Sequence, residues 1–295
     1  MLDAQGDDMS GRRMTTGGAE TDPLDRMRYG LNGYDAPEVL ADVKARGFTL
    51  LRFGLIGASD DPAMIPYVHS QGYQTLIIVR DGAQVREFGA FLVQTDVELW
   101  NEPDGTVDGQ IAPADYASLV PDFVQACDEI GARPWIGAIS NLHARGLRWL
   151  SAMIRACGPL PVTVGVTVHR YPAGRSWTDP HAGFGRREEE VVALRAIIGS
   201  TRRFACSEFG YHTAPQIRSK YLPKSWPSNQ WRWTDAEVAV QVAEEWRFWR
   251  RMGASFAVLY QLVDGPPDTR EDRFGIRTID GAWKPVAESI RVSED

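Results

Sequence analysis

Short apolar runs of four to seven residues alternate along the chain with longer stretches in which apolar residues recur every three or four positions. The runs have the length of buried strands and the stretches have the period of amphipathic helices. Eight such runs are expected as strands, over residues 27–31, 48–53, 75–79, 97–100, 134–139, 162–168, 203–208 and 256–262. Between them the helical punctuation repeats. Pro37 opens a helix that Gly47 closes, Asp61-Pro62 opens the next, and Pro113 opens a long one carrying Tyr116, Val120, Phe123 and Cys127 on one face. Further helices are expected over residues 142–156 and 285–291, and one with Phe88, Phe91 and Leu92 follows the third strand. Thr234 and Glu237 form a capping box ahead of the helix that carries Trp246 and Trp249, which are expected to pack.

Strictly alternating strands and helices imply a parallel sheet with crossover helices. Eight units in about 270 residues match the ~250 residues of a (β/α)8 TIM barrel. The expectation is therefore a single α/β barrel over residues 23–295, preceded by a leader over 1–22 that is rich in Gly, Asp, Ser and Thr and expected to be disordered. A doubly wound open sheet would also alternate, but no glycine-rich phosphate loop follows the first strand.

In a barrel of this kind the functional groups sit at the C-terminal ends of the strands. Those ends carry Asn32, Arg52, Arg80, Asn101, Glu102, Ser140, Asn141, His169, Tyr171, Glu208, Gln261 and Asp264. Two of them share a form. Val97 to Trp100 is an apolar run that breaks at Pro103 and leaves Asn101 and Glu102 at its tip. About one hundred residues on, a second run ends in Glu208 before Gly210. Two glutamates on two strand ends are the equipment of a retaining glycoside hydrolase.

Composition narrows the partner. The net charge of −7 argues against a nucleic-acid surface and against anionic membranes, and leaves a neutral carbohydrate open. Ten tryptophans suit a sugar binder, whose indoles take the C–H faces of pyranose rings. The longest expected loop, about 211–233, holds Trp226, Trp231 and Trp233, of which Trp226 and Trp231 are candidates for stacking on substrate. Cys127, Cys157 and Cys206 lack the spacing of a disulfide framework or metal knuckle and are expected as small buried hydrophobes. His69, His143 and His212 show no metal-ligand spacing, so neither a metal nor a cofactor is expected. No apolar run approaches the roughly 18 residues of a membrane span. With no secretion signal in view, the expected compartment is the cytoplasm, with another secretion route left open and Met9, Met14 and Met27 as alternative starts. Glu188-Glu189-Glu190 at a helix start is expected to be a solvated end.

From about Tyr29 to Ile290 the chain resembles clan A of the glycoside hydrolases, the (β/α)8 enzymes with glutamates at strands four and seven. Asn101-Glu102-Pro103 matches the clan's strand-four motif, and Glu208 after Ala205-Cys206-Ser207 matches the strand-seven position. Arg52 matches a strand-two arginine, and His169 with Tyr171 a His-x-Tyr pattern at strand six. Phe274-Gly275-Ile276, Asp280-Gly281 and Lys284-Pro285 resemble the closing segment, and the cellulase-like and xylosidase-like branches are the nearest in character. The resemblance implies Glu208 as nucleophile and Glu102 as acid/base. It implies Asn101 on the sugar 2-hydroxyl, Arg52 against Glu208, Tyr171 supporting Glu208 or the sugar, and His169 orienting a carboxylate. Two departures stand out. Gln261 occupies the strand-eight position where the clan commonly has tryptophan, and strand three ends in Arg80-Asp81 where cellulase-like relatives tend to have histidine. The implied activity is hydrolysis of a β-linked glycan or glycoside with retention. The alternative is a glycan-binding or scaffold barrel that has lost catalysis.

Overall fold

The computed structural model describes residues 27–33, 35–55, 61–105, 110–171, 187–211, 213, 234–265 and 273–294. The expected leader and Trp226, Trp231 and Trp233 lie outside the described residues. Eight strands, each hydrogen-bonded to the next, close into a barrel in chain order. They are β1 Arg28–Asn32, β2 Leu50–Gly54, β3 Gln74–Val79, β4 Asp96–Leu99, β5 Arg133–Ile139, β6 Gly165–Arg170, β7 Phe204–Phe209 and β8 Phe256–Leu259. All pairs are parallel, and β8 closes on β1 through Gly30 opposite Val258. The helices between them are α1 Pro37–Ala45, α2 Met64–Ser70, α3 Gly82–Glu87, α4 Gly89–Leu92, α5 Pro113–Ile130, α6 Ala144–Cys157, α7 Arg187–Ile198 and α8 Asp235–Arg251. A 3-10 turn, Pro285–Glu288, leads into α9 Ser289–Glu294. The single (β/α)8 barrel expected from the alternation is the fold.

Alternation along the strands sorts the core into two layers. Leu50, Leu76, Trp135, Ala205, Phe256 and Val258 face one another inside the barrel. Their neighbours one residue on, Leu51, Ile77, Ile136, Cys206 and Ala257, face the helices. Trp135 fills so much of the interior that a Cβ on Gly165, beside it on β6, would come within 2.2 Å of the indole. Beneath this layer Asp96 closes the N-terminal end. It accepts hydrogen bonds from Arg28 (2.6 Å), from Arg133 Nε and Nη2 (3.1 and 2.9 Å) and from the Trp135 indole (2.7 Å).

The helix signals hold where capping chemistry supplied them. Thr234 and Glu237 form the reciprocal capping box of α8, and Trp246 and Trp249 behind it are fully buried. Elsewhere local details differ. The helix expected after β3 splits into α3 and α4, and α6 begins at Ala144, where the His143 ring caps the Gly146 amide. β6 starts at Gly165, because residues 161–164 turn first, and extends through His169 and Arg170. β8 stops at Leu259 rather than at residue 262. Glu188 and Glu189 are exposed as expected, but Glu190 is buried and faces Arg170, which donates from Nε at 3.3 Å. It belongs to a buried cluster with Arg187, Glu245 and Tyr211, which join α7 and α8 to the outer side of β6. Cys127 and Cys206 are buried thiols, and Cys157 is half-buried with Sγ 3.5 Å from the Met153 sulfur.

Candidate active site

The C-terminal mouth of the barrel gathers seven of the expected residues into one hydrogen-bonded group. Arg52 is its hub and is buried from end to end. Its Nη1 donates to Glu208 Oε2 (3.2 Å) and its Nη2 to Asn101 Oδ1 (2.7 Å). His169 lies between the two glutamates, with Nδ1 3.1 Å from Glu102 Oε1 and 3.3 Å from Glu208 Oε2. Tyr171 donates its hydroxyl to Glu208 Oε1 at 2.5 Å. The Asn141 side-chain amide holds the Tyr171 carbonyl at 3.0 Å.

Local irregularities place these groups. Plain alternation would turn Glu208 outward with Cys206, toward the helices. Instead the ladder slips on β7: Cys206 pairs with Val168, but the next inward residue of β6, His169, pairs with Glu208. The same extra residue shows against β8, where Cys206 pairs with Ala257 and Phe209 with Leu259. This bulge turns Glu208 from the outer layer and leaves Ser207 and Glu208 both inside the barrel. At β4 the backbone passes through left-handed conformations at Trp100 (φ 64°) and Glu102 (φ 45°). The Glu102 amide donates to the Ala138 carbonyl (3.1 Å), and Asp104 accepts from the Ser140 amide (2.6 Å) and hydroxyl (3.2 Å). These bonds hold the Glu102 turn against the end of β5.

Burial and charge set the proton affinities. Burial works against the Arg52 charge, but Glu98 and Glu208 outweigh it and hold the guanidinium charged. Burial likewise works against a charged His169, and Glu208 and Glu102 outweigh it, so its pKa rises above the usual histidine value. Burial and the neighbouring Glu208 push the Tyr171 hydroxyl well up, so it stays a donor. One oxygen or nitrogen from each of Glu102, His169 and Glu208 falls within 4.8 Å of the others, a spacing that could seat a metal ion. The hydrogen-bond network argues for a different use. His169 Nε2 faces Arg52 Nη2 at 3.4 Å, so in the neutral ring the proton belongs on Nδ1, pointed at the carboxylates. With Nε2 turned to the guanidinium, a protonated Nδ1 is a donor to the carboxylates and has no lone pair for a metal.

Gln261, also a candidate, is half-buried just past the end of β8, and its carbonyl accepts from Ile276 at 3.0 Å. The aromatic ring at that strand end is Tyr260. It packs edge-on to Tyr171 and Phe274, with centroids 6.4 and 5.6 Å away, and forms a wall beside Glu208. Arg80 is exposed at the end of β3, and Asp81 caps α3 by accepting from the Gln84 amide at 2.8 Å.

Sequence reasoning missed one member of the group. Glu98, on β4, accepts from Arg52 Nε and Nη2 at 2.9 and 2.6 Å and is wholly buried. Burial alone would raise its pKa, but Arg52 with His169 holds it below the usual carboxylate range. The signal was a charge between Val97 and Leu99 in the otherwise apolar run 97–100. Such a residue needs a buried partner, and Arg52, inward-facing on β2, was the available cation.

The fold is shared with solved glycoside hydrolases of several families. A family 39 glycoside hydrolase from the gut symbiont Bacteroides cellulosilyticus WH2 superposes with TM-score 0.62 at 16% identity, over 92% of this chain and 64% of that one. This chain thus spans under two thirds of that enzyme's length. A family 128 (subgroup II) endo-β-1,3-glucanase from Sorangium cellulosum gives TM-score 0.62 at 13% identity, over 89% of this chain and 96% of the other. A family 5 enzyme from Prevotella bryantii B14 gives 0.59 at 15%, over 92% and 97%. No protein-family model and no curated protein sequence matches the chain.

Proposed function

We propose that the chain is a retaining glycoside hydrolase acting on a β-linked glycan or glycoside. The observation that carries this is the spacing of the two strand-end glutamates, which with His169 bring carboxylate and ring atoms within 4.8 Å of one another. Retaining enzymes hold their carboxyl groups about 5–5.5 Å apart, whereas inverting ones leave about 6.5–9.5 Å for a water. Glycoside hydrolases with the same fold, including one named as an endo-β-1,3-glucanase, support the substrate class.

In the first step Glu208 attacks the anomeric carbon as Glu102 gives its proton to the departing glycosidic oxygen, which leaves a glycosyl ester on Glu208. In the second, Glu102, now a carboxylate, takes a proton from water. The resulting hydroxide attacks the same carbon and Glu208 departs, so the configuration is kept. The negative charge of Glu208 favours a proton on Glu102 before the first step. Arg52 and Tyr171, each on a different oxygen of Glu208, fix its orientation and stabilise it as it leaves. Asn101, turned by Arg52, offers its amide nitrogen to the 2-hydroxyl. Tyr260 and Phe274 supply apolar surface beside the reacting sugar.

The test is intact mass after incubation with activated 2-fluoro gluco, manno, xylo and galacto glycosides. Wild type should gain one sugar, and Glu208→Gln none. Undiminished turnover of a natural β-glycoside by Glu208→Gln would sink the proposal, because the nucleophile would then lie elsewhere.

A further inference from the structure

Arg52 is offered to two carboxylates and divides itself unequally. It reaches Glu98 through two nitrogens at 2.9 and 2.6 Å, and Glu208 through one at 3.2 Å. Glu98 is buried completely and contacts no position a substrate could reach. Its second oxygen lies beside the Ser207 and Thr167 hydroxyls, with no well-aligned hydrogen bond closed to it among the described residues. A carboxylate sunk in a barrel floor costs several kcal/mol to desolvate, and an apolar residue would fill the place more cheaply. Its retention asks for a role in the charge above it.

The charges can be summed. Arg52 and Glu98 cancel, so within the described network of Arg52, Glu98 and Glu208 the charge left beside Glu102 and His169 is that of Glu208. Without Glu98, the guanidinium would face the pair with its whole charge, from 3.2 Å to Glu208 and 3.4 Å to His169. Glu208 would be neutralised in effect, and nothing would favour a proton on Glu102. Among the described residues, other groups face this cluster, Tyr260 against Tyr171 included. They also include Tyr171 from β6, Asn101 from β4, and Tyr116 from α5, whose hydroxyl is spent on the Leu99 carbonyl at 2.7 Å. Arg170 is turned to the outer cluster, on Glu245.

We propose that Glu98 is a positioning residue for the glycosidase chemistry: it takes up the charge of Arg52 and so keeps the Glu102–His169–Glu208 group net negative, which sets the pH range over which the acid holds its proton. This rests on the function proposed above, and the test separates the two. The readout is the 15N titration of His169 in histidine-labelled protein, which needs no turnover, taken together with the pH profile of kcat/KM. Glu98→Gln keeps the shape and removes the charge. The His169 midpoint and the basic limb of the profile should both fall by about one pH unit or more. The double variant Arg52→Gln/Glu98→Gln again sums to the wild-type charge and leaves no buried cation unpaired. Its His169 midpoint should return toward wild type, even though kcat stays low. A merely structural Glu98 would give no such reversal. A midpoint unmoved in Glu98→Gln, or a double variant displaced as far as the single, overturns the proposal. Should Glu98→Gln fail to fold, the double variant against wild type still decides it, since a shifted midpoint there contradicts the charge sum. Wild type that turns over no β-glycoside would instead overturn the glycosidase function, while the titration reads Glu98 on its own.

Discussion

Asp96→Asn tests the barrel independently of any function. Asp96 is fully buried at the barrel floor and takes four hydrogen bonds from two strands: from Arg28 on β1, from both reaching nitrogens of Arg133 on β5, and from the Trp135 indole on β5. The same Arg28 nitrogen also donates to Gln74 Oε1 on β3 at 2.6 Å. Burial on its own would raise the pKa of this carboxyl, but Arg28 and Arg133 outweigh it and hold it below the usual carboxylate range. An asparagine keeps the shape, removes the charge and turns an N–H₂ toward two cations. Breaking a buried pair from one side costs about 3–5 kcal/mol, and water reaching the partly exposed arginines brings the expectation to about 3 kcal/mol. In a domain of this size that lowers Tm by roughly 6–12 °C. The assay is equilibrium urea unfolding followed by far-ultraviolet circular dichroism. The midpoint should fall while the slope stays the same, since the surface exposed on unfolding is unchanged. The pH dependence has a fixed sign. Because the folded pKa is depressed, the stabilisation is present above the unfolded value of about 3.9 and is lost as pH falls through the folded pKa. The gap between wild type and Asp96→Asn should therefore hold from neutral pH to about 4 and close below it. A variant within about 0.5 kcal/mol of wild type at pH 7 would refute the account, since it would place Asp96 among ordinary surface substitutions.

Two further outcomes follow from particular contacts. Tyr171→Phe removes the donor on Glu208 Oε1, a hydrogen bond to a charged group worth about 1.5–3 kcal/mol. Glu208 regains charge as it leaves the sugar, so deglycosylation should slow by roughly 10- to 150-fold and a burst of aglycone should appear in rapid-quench kinetics; an unchanged kcat without a burst contradicts this. Glu190 has its pKa pushed up to about 7 by burial, against the pull of Arg170, and its Oε1 is buried with no partner among the described residues. A raised folded pKa gives stability that is complete below the unfolded value and lost as pH rises through the folded one. Wild type should thus lose about 2–3 kcal/mol between pH 5 and pH 8 that Glu190→Gln keeps, as read by urea unfolding at both pH values; parallel pH curves for the two proteins would count against it.

The resemblance read from Asn101-Glu102-Pro103, Glu208, Arg52 and His169-x-Tyr171 pointed to six residues that the fold does bring together. It was silent on Glu98, because one acidic residue in a strand looks the same whether it faces solvent or a buried arginine from another strand. The helix-dipole reading of Glu188-Glu189-Glu190 likewise took Glu190 as a solvated helix end, because Arg170, which draws it inward, stands twenty residues away on a different element.

Alternation, punctuation and strand ends are local properties of the chain. They determined eight βα units, the barrel and the side of it on which chemistry would sit, because apolar periodicity needs no knowledge of what lies across the core. Which way a strand-end side chain points was not local. Counted by alternation from Ala205, Glu208 faces the helices; only the extra residue in β7, forced by pairing with β6 on one side and β8 on the other, turns it onto His169. Likewise the sharing of Arg52 among Glu98, Asn101 and Glu208 exists only once β2, β4 and β7 are closed into one barrel, since charge and hydrogen bonding at these distances depend on three strands whose separation in sequence says nothing of their separation in space.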